Sequence, residues 1–192
     1  MTPRIPITRK NSGGYFHIEQ LHAVVPPGAF SCSIQEYNEY LTQDALRSQN
    51  DHIALTWLLW ERSTRSIVAY MSLIADAIKL SVSEKELHNL DYPFKTVPAM
   101  KVAKLAVSQS IQETYRGIGS FMLINARTLA RMCNRQLFAR TRLRDGGFLT
   151  VDADIENNES VLNFYEKNGF ILNTEMNNKN RKTISMRKDI FA

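Results

Sequence analysis

Cysteine and histidine are scarce in this 192-residue chain, and the scarcity argues against two classes of architecture at once. The two cysteines, Cys32 and Cys133, share no metal-type spacing and make no disulfide frame, which fits a reducing compartment; both read as small buried hydrophobes. The four histidines, His17, His22, His52 and His88, form no His-x-x-x-His pair and have no carboxylate cluster beside them, so no metal site is expected. Long apolar runs are lacking too, since the longest, Ile53 to Trp60, is far too short to cross a bilayer. Arg4, Arg9 and Lys10 are followed by no apolar stretch of the kind a signal peptide needs. These absences predict a soluble, cytoplasmic protein with no membrane partner. No repeat, low-complexity tract or linker breaks the chain, which predicts a single domain over 1–192, with 1–30 as an N-terminal extension carrying the first strand.

What is present is a hydrophobic fraction of 44%, enough for a proper core, and an excess of basic residues. The net charge of +5 suggests an anionic partner, but a polyanionic cofactor would satisfy it, so charge alone does not establish nucleic-acid binding.

Ile34, Tyr37, Leu41 and Ala45 recur at helical spacing and predict an amphipathic helix over 34–46. Two apolar stretches, Ile53 to Trp60 and Ser66 to Ile74, divided by the polar Glu61 to Arg65, predict an antiparallel strand pair. Ser83 and Glu86 have the spacing of a capping box at the start of a helix over 83–90, which Pro93 and Pro98 end in favour of extended chain. A strand is expected over 101–107, a loop over 108–115 and a long helix over 117–132. Beyond an Arg-rich connector come a strand over 148–153, a helix over 158–167 and closing strands at 169–172 and 183–187. Strands and helices in this succession make an α/β plan.

Arg116-Gly117-Ile118-Gly119-Ser120 lies where the expected strand gives way to the long helix. Glycine turns tightly and brings its N–H close to a ligand with no Cβ in the way. The first N–H groups of a helix have no internal partners and sit at the positive end of its dipole, so together they suit a pyrophosphate. No lysine follows in the manner of a Walker P-loop, and the motif is too short for a dinucleotide fingerprint. Taken alone, the glycines fit a plain helix start equally well.

Lys104-Leu105-Ala106-Val107 followed by Tyr115-Arg116-Gly117-Ile118-Gly119-Ser120 resembles the acetyl-CoA-binding motif of the GNAT superfamily of N-acetyltransferases. The family pattern is Gln or Arg, two residues, Gly, any residue, then Gly or Ala, and Thr114 stands in its first place. The resemblance implies a mixed, largely antiparallel central sheet flanked by helices, with a splayed strand pair holding acetyl-CoA. It implies that Leu105, Ala106 and Val107 hold the pantetheine arm by their backbone, and that Thr114, Tyr115, Arg116, Gly117, Ile118, Gly119 and Ser120 surround the phosphates.

Asn158 and Tyr165, seven apart, would share one face of a helix after two turns. Phe164-Tyr165-Glu166-Lys167-Asn168-Gly169-Phe170 resembles the segment in which a GNAT helix ends and enters the next strand, with Asn168-Gly169 as a left-handed helix stop. The family's asparagine contacts the cofactor arm and its tyrosine protonates the departing thiolate, roles that the resemblance carries to Asn158 and Tyr165. A phenol, with an ordinary pKa of about 10, stays protonated at neutral pH and can donate to sulfur as charge develops there. A lone tyrosine on an amphipathic helix is more often a core ring with its hydroxyl at the rim. Two motifs in the right order and spacing favour the acid.

Some GNAT enzymes carry a glutamate on the central strand as general base, and Lys101 occupies the matching place here. Glu61 and Asp76, near the ends of the preceding strands, are the substitutes, and each also reads as a solvated strand-end charge. An α-amine with a pKa of about 8, lowered further in an aminoacyl ester, can react without a strong protein base. Phe30-Ser31-Cys32, the strand pair from Ile53 to Tyr70, and Tyr92-Pro93 through Pro98 resemble the layout of GNAT toxins of toxin–antitoxin systems, which acetylate aminoacyl-tRNA and tend to have arginine where this chain has Lys104. Arg127, Arg131 and Arg135 recur every fourth residue, and Arg140, Arg142 and Arg144 follow; they form a basic surface for tRNA or cofactor phosphates, or a solvated helix face. The expected function is acetyl-CoA-dependent N-acetylation of a primary amine by direct attack in a ternary complex, with aminoacyl-tRNA as one acceptor class and a small, peptide or protein amine as the other. A non-catalytic acyl-CoA-binding regulatory module and a cofactor-free nucleic-acid-binding domain are the alternatives. Such domains commonly pair through their last strands, so the resemblance also implies a homodimer.

Overall fold

A computed structural model of the chain describes residues 4–8, 11–87, 95–138, 147–158, 160–174 and 182–192, with 135–138 as backbone only. Tyr92-Pro93, His88, Arg140, Arg142 and Arg144, the end of the expected 83–90 helix and the side chain of Arg135 lie outside the described residues. The elements run β1 (Ile5–Pro6), α1 (Ser12–Tyr15), β2 (Phe16–Gln20), α2 (Gln35–Glu39), a π-helical turn (Tyr40–Asp44), α3 (Ala45–Asn50), β3 (Leu55–Glu61) and β4 (Ser66–Lys79). They continue with α4 (Val82–Leu87), β5 (Thr96–Val107), α5 (Gln109–Thr114), β6 (Tyr115–Arg116), α6 (Ile118–Phe138), β7 (Phe148–Asp154), α7 (Val161–Lys167), β8 (Ile171–Leu172) and β9 (Thr183–Asp189). The chain gathers into two compact units, Met1–Ile74 with Ala103–Ile124 and Ala75–Val102 with Asn125–Ala192; β4, β5 and α6 each belong partly to one and partly to the other.

In the first unit β2, β3 and the start of β4 are consecutive antiparallel neighbours, with Phe16 opposite Glu61 and Leu55 opposite Leu73. The first half of β4 is buried on both faces, which its unbroken apolar run Ile67 to Met71 permits. Thr56 and Ser72, both buried in this pair, satisfy one another through a 2.7 Å hydroxyl contact. The expected 34–46 helix is present as α2, the π-helical turn and α3 in unbroken succession. Its Leu41 and Ala45 enter a core with Leu21, Val25, Phe30, Leu58, Ile67, Tyr70 and Ala106. Complete burial of a leucine such as Leu41 contributes about 2 kcal/mol.

In the second unit β5 and β7 pair in parallel, β7 and β9 pair antiparallel along their full length, and β8 closes on β9. Ile78, Leu80, Val97 and Phe148 form its apolar cluster. The helix expected at 83–90 starts earlier and is capped by a different serine. Ser81 and Glu84 are the reciprocal pair: the Glu84 carboxylate accepts from the Ser81 amide at 2.7 Å, and the Glu84 amide donates to the Ser81 hydroxyl at 3.3 Å. The stretch carries two serines at capping distance from two glutamates, and Ser81 is chosen because Glu84 also reaches the buried Arg187.

Three further expectations are corrected. Residues 108–115 are not a loop: Gln109–Thr114 is helical, because Ile111 and Tyr115, four apart, are both buried beneath an otherwise polar turn. Asn158 does not lie on the helix with Tyr165, for α7 begins at Val161. Cys133 is exposed on α6 and not a core hydrophobe, whereas Cys32 is half-buried and burial pushes its thiol pKa up.

Candidate active site

The Leu105-Ala106-Val107 segment is the end of β5. Of its three residues only Ala106 is buried, and its neighbours Leu105 and Val107 remain half-exposed. The β5–β7 pairing runs from Ala99 opposite Phe148 to Val102 opposite Val151 and stops there, although β5 continues to Val107 and β7 to Asp154. Just past β5 the Ser108 amide donates to the Val68 carbonyl at 2.8 Å, which fixes where the strand leaves for α5.

Thr114, exposed, ends α5, and Tyr115 and Arg116 form the short β6. A feature the sequence reading missed holds that strand: Ile5 and Pro6 pair with it in parallel, and the Ile7 amide donates to the Arg116 carbonyl at 2.9 Å. The Tyr115 ring is buried against Phe16 and Tyr15; burial, with a hydrogen bond to Glu61, pushes its phenol pKa up. Gly117 follows in the left-handed region at φ +87, and a Cβ there would stand 3.2 Å from the Ile7 carbonyl. Its own carbonyl accepts from the Phe121 amide at 2.9 Å, the first bond of α6. The amides of Ile118, Gly119 and Ser120 therefore precede the helix's first internal bond, at the positive end of its dipole. The Ile118 side chain is buried, so this residue can present only its backbone.

Tyr165 is buried on α7, its ring edge-on to Phe164 at 5.0 Å and to Phe170 at 5.4 Å. The helix stop beyond it forms as expected. Gly169 is left-handed at φ +81, its amide donates to Glu166 at 2.8 Å, and the Phe170 amide donates to the Tyr165 carbonyl at 3.0 Å, the double closure that ends a helix on glycine. The contact of Phe170 with Tyr165 is the apolar clasp of that motif, so one turn fixes both the helix end and the tyrosine ring. Asn158 is exposed before the helix, where its Oδ1 accepts from the Ser160 amide at 3.0 Å and the Ser160 hydroxyl at 2.8 Å. This local turn competes with helical backbone, which is why the expected shared face with Tyr165 does not form.

The residues weighed as bases are engaged. Glu61 accepts from the Thr64 hydroxyl at 2.7 Å besides its bond to Tyr115. Asp76 lies on β4, which runs five residues past its expected end at Ile74, and accepts from the Thr150 hydroxyl at 2.6 Å. Lys101 stands 3.6 Å from Asp76 and 3.1 Å from Asp152. Lys104 is paired with Glu36, its ammonium 4.6 Å above the Tyr37 ring centre. Two of the α6 arginines are turned to the chain's own C-terminal residues: Arg127 donates to the Ile190 carbonyl at 2.8 Å and to that of Ala192, and Arg131 donates to Ile190 while lying over the Phe191 ring. Among the described residues there is no group of three or more His, Cys, Asp or Glu fit to hold a metal, and no helix is long and apolar enough to cross a membrane.

Mixed α/β structure, a mostly antiparallel sheet flanked by helices and a glycine-led helix start define the GNAT fold, and the chain has it. Its structure is similar to that of AtaT complexed with acetyl-methionyl-tRNAfMet, at TM-score 0.67 and 21% identity over 88% of this chain and 93% of that one. It is also similar to AtaTR bound with acetyl-CoA (TM-score 0.66, 20% identity, 91% and 94% covered) and to a tyrosine-to-phenylalanine mutant of the toxin KacT (TM-score 0.67, 17% identity, 90% and 95% covered). At these identities the likeness is one of fold. No family model and no curated protein matches the sequence.

Proposed function

We propose that the chain is an acetyl-CoA-dependent N-acetyltransferase whose acceptor is the amine of an aminoacyl-tRNA. The observation that carries this is the turn at Gly117, a left-handed glycine handing a β-strand on to a helix whose first amides precede any internal bond, within the GNAT fold. A pyrophosphate fits that turn by charge and by the backbone donors it offers. Leu105 and Val107, beyond the last β5–β7 pair, offer backbone groups to an amide-bearing arm. Asn158 has an exposed amide side chain to offer the same arm, its Oδ1 already engaged by Ser160.

Acetyl-CoA is a substrate that supplies an acyl group activated as a thioester. The acceptor nitrogen attacks the carbonyl carbon, the N–C bond forms, and the C–S bond breaks. Tyr165 gives its phenolic proton to the leaving sulfur, the nitrogen sheds one proton, and the phenol is reprotonated. Burial beside Phe164 and Phe170 holds the ring in one orientation, which lowers the ordering cost of the step. The choice of acceptor is supported by the neighbouring AtaT structure with acetyl-methionyl-tRNAfMet.

The test is incubation with acetyl-CoA and methionyl-tRNA beside a panel of small amines. Acetylated methionyl-tRNA with an equal yield of free thiol is expected. Transfer only to small amines would refute the acceptor, and acetyl-CoA binding without thiol release under any condition would refute the enzyme. Tyr165→Phe should reduce kcat by about 100-fold or more while the thermal shift produced by acetyl-CoA persists.

A further inference from the structure

Acetyl transfer to an amine that arrives as an ammonium needs somewhere for a proton to go, and the strand position where a GNAT glutamate is expected holds Lys101. We infer that Asp152 is the general base of this chain, set in place by Lys101 and Asp76; the inference rests on the acetyltransferase reading above.

Lys101 is opposite Thr150 in the parallel β5–β7 register, and Asp152 is two residues beyond Thr150, so all three side chains leave the same face of the sheet. Asp152 also lies one residue past Val151, the last residue of β7 to pair with β5. It therefore stands on the first part of β7 that has lost its β5 neighbour. Glu61, Asp76 and Asp152 differ in how they are used. Glu61 is occupied by Thr64 and Tyr115. Asp76, with only 19% of its side chain exposed, is held by the Thr150 hydroxyl at 2.6 Å and faces Lys101 at 3.6 Å. Asp152 is 43% exposed, and among the described residues its one partner is the Lys101 ammonium, at 3.1 Å on Oδ2; Oδ1 is open.

This asymmetry separates a fixed carboxylate from a working one. Lys101 neutralises one of the two aspartates, leaving the trio a single negative charge that attracts a cationic amine. The same ammonium fixes the Asp152 side chain by one oxygen and leaves the other to receive a proton, so Lys101 and Asp76 are positioning residues. Of the other charged groups on this face, Arg187 lies level with Lys101, opposite Thr150, but is buried and paired with Glu84, while Asp154, which caps Asn157, and Asp189, opposite Phe148, lie further along β7 and β9 in either direction. In the step, the ammonium first gives one proton to Asp152 Oδ1, which passes it to water; the freed lone pair attacks, and as the N–C bond forms the nitrogen gives its second proton to the same oxygen, while Tyr165 protonates the sulfur as the C–S bond breaks and is reprotonated from water. Asp152 returns its proton to water.

The test compares kcat/KM of the full chain with that of Asp152→Asn and Asp152→Glu, using acetyl-CoA and methionyl-tRNA from about pH 6 to about pH 8.5, on either side of the α-amine pKa. Asp152→Asn should lose about 100-fold at the acid end, and the deficit should shrink as pH rises and the acceptor becomes neutral without help. Asp152→Glu should recover part of the loss, and both variants should keep the wild-type thermal shift with acetyl-CoA. Activity of Asp152→Asn within about threefold of wild type throughout, or a deficit equal at both ends of the range, would overturn the assignment, since a structural role gives a loss that ignores the protonation of the acceptor. Absence of transfer by the unaltered chain would instead refute the acetyltransferase reading, and the base with it.

Discussion

At Gly117 two independent constraints meet in one residue: a left-handed backbone and a carbonyl 3.2 Å from where a β-carbon would be. Gly117→Ala should therefore lose about 1–2 kcal/mol of stability and weaken acetyl-CoA binding, as read by urea denaturation and ligand-induced thermal shift. The position was legible in the sequence because glycine takes such a backbone at least cost. Gly169 was legible for the same reason, and its stop forms where Asn168-Gly169 predicted it. Asn158 was not, because an asparagine can turn the chain with its own side chain, and whether it caps, turns or continues a helix depends on the hydroxyl of Ser160 two residues on. Asp152 drew no attention in the sequence, since its environment is made by Lys101, fifty-one residues earlier in the chain.

At the scale of elements, α4 is anchored by Glu84, which faces both Ser81 at its own helix start and the guanidinium of Arg187 on β9, only 3% exposed. Burial alone would raise the pKa of Glu84, but the Ser81 amide and hydroxyl and the Arg187 charge together bring it below the ordinary glutamate value. A carboxylate with a lowered folded-state pKa contributes stability in full above its unfolded value of about 4.3, and that contribution disappears as pH falls through the lower folded value. Glu84→Gln should thus cost about 2–3 kcal/mol at neutral pH, and in denaturant titrations the gap from wild type should narrow as pH falls below the ordinary glutamate value. Elements with their own apolar period, such as the 34–46 helix and the β3–β4 pair, were legible with boundaries a few residues off. The β1–β6 pairing was not, for two residues a side carry no pattern and the partners are more than a hundred residues apart. The helix α5 escaped notice because two buried residues four apart are too few to establish a period.

For the whole molecule, the single domain expected from the sequence has a sharp test, since β4, β5 and α6 run without a break through both compact units. Unfolding one unit would have to sever three hydrogen-bonded elements midway, so a single cooperative transition is expected. Both tryptophans, Trp57 and Trp60, lie on β3 in the first unit, whereas far-ultraviolet circular dichroism samples all the helices. Coincident urea transitions by the two signals would bear out one domain, and separated midpoints would refute it. The α/β plan was legible from the succession of strand and helix patterns, while the basic excess was a poorer guide: Arg127 and Arg131 turn out to serve the backbone of Ile190 and its successors. The Ile7-to-Arg116 hydrogen bond has a further consequence, for time and not for shape. Ile7 leaves the ribosome long before Arg116 is made, and must wait unpaired while more than half of the chain is synthesised. The turn at Gly117, proposed above to hold the cofactor phosphates, can acquire its final form only once both strands are free to meet, so ligand competence should be among the last properties a newborn chain gains.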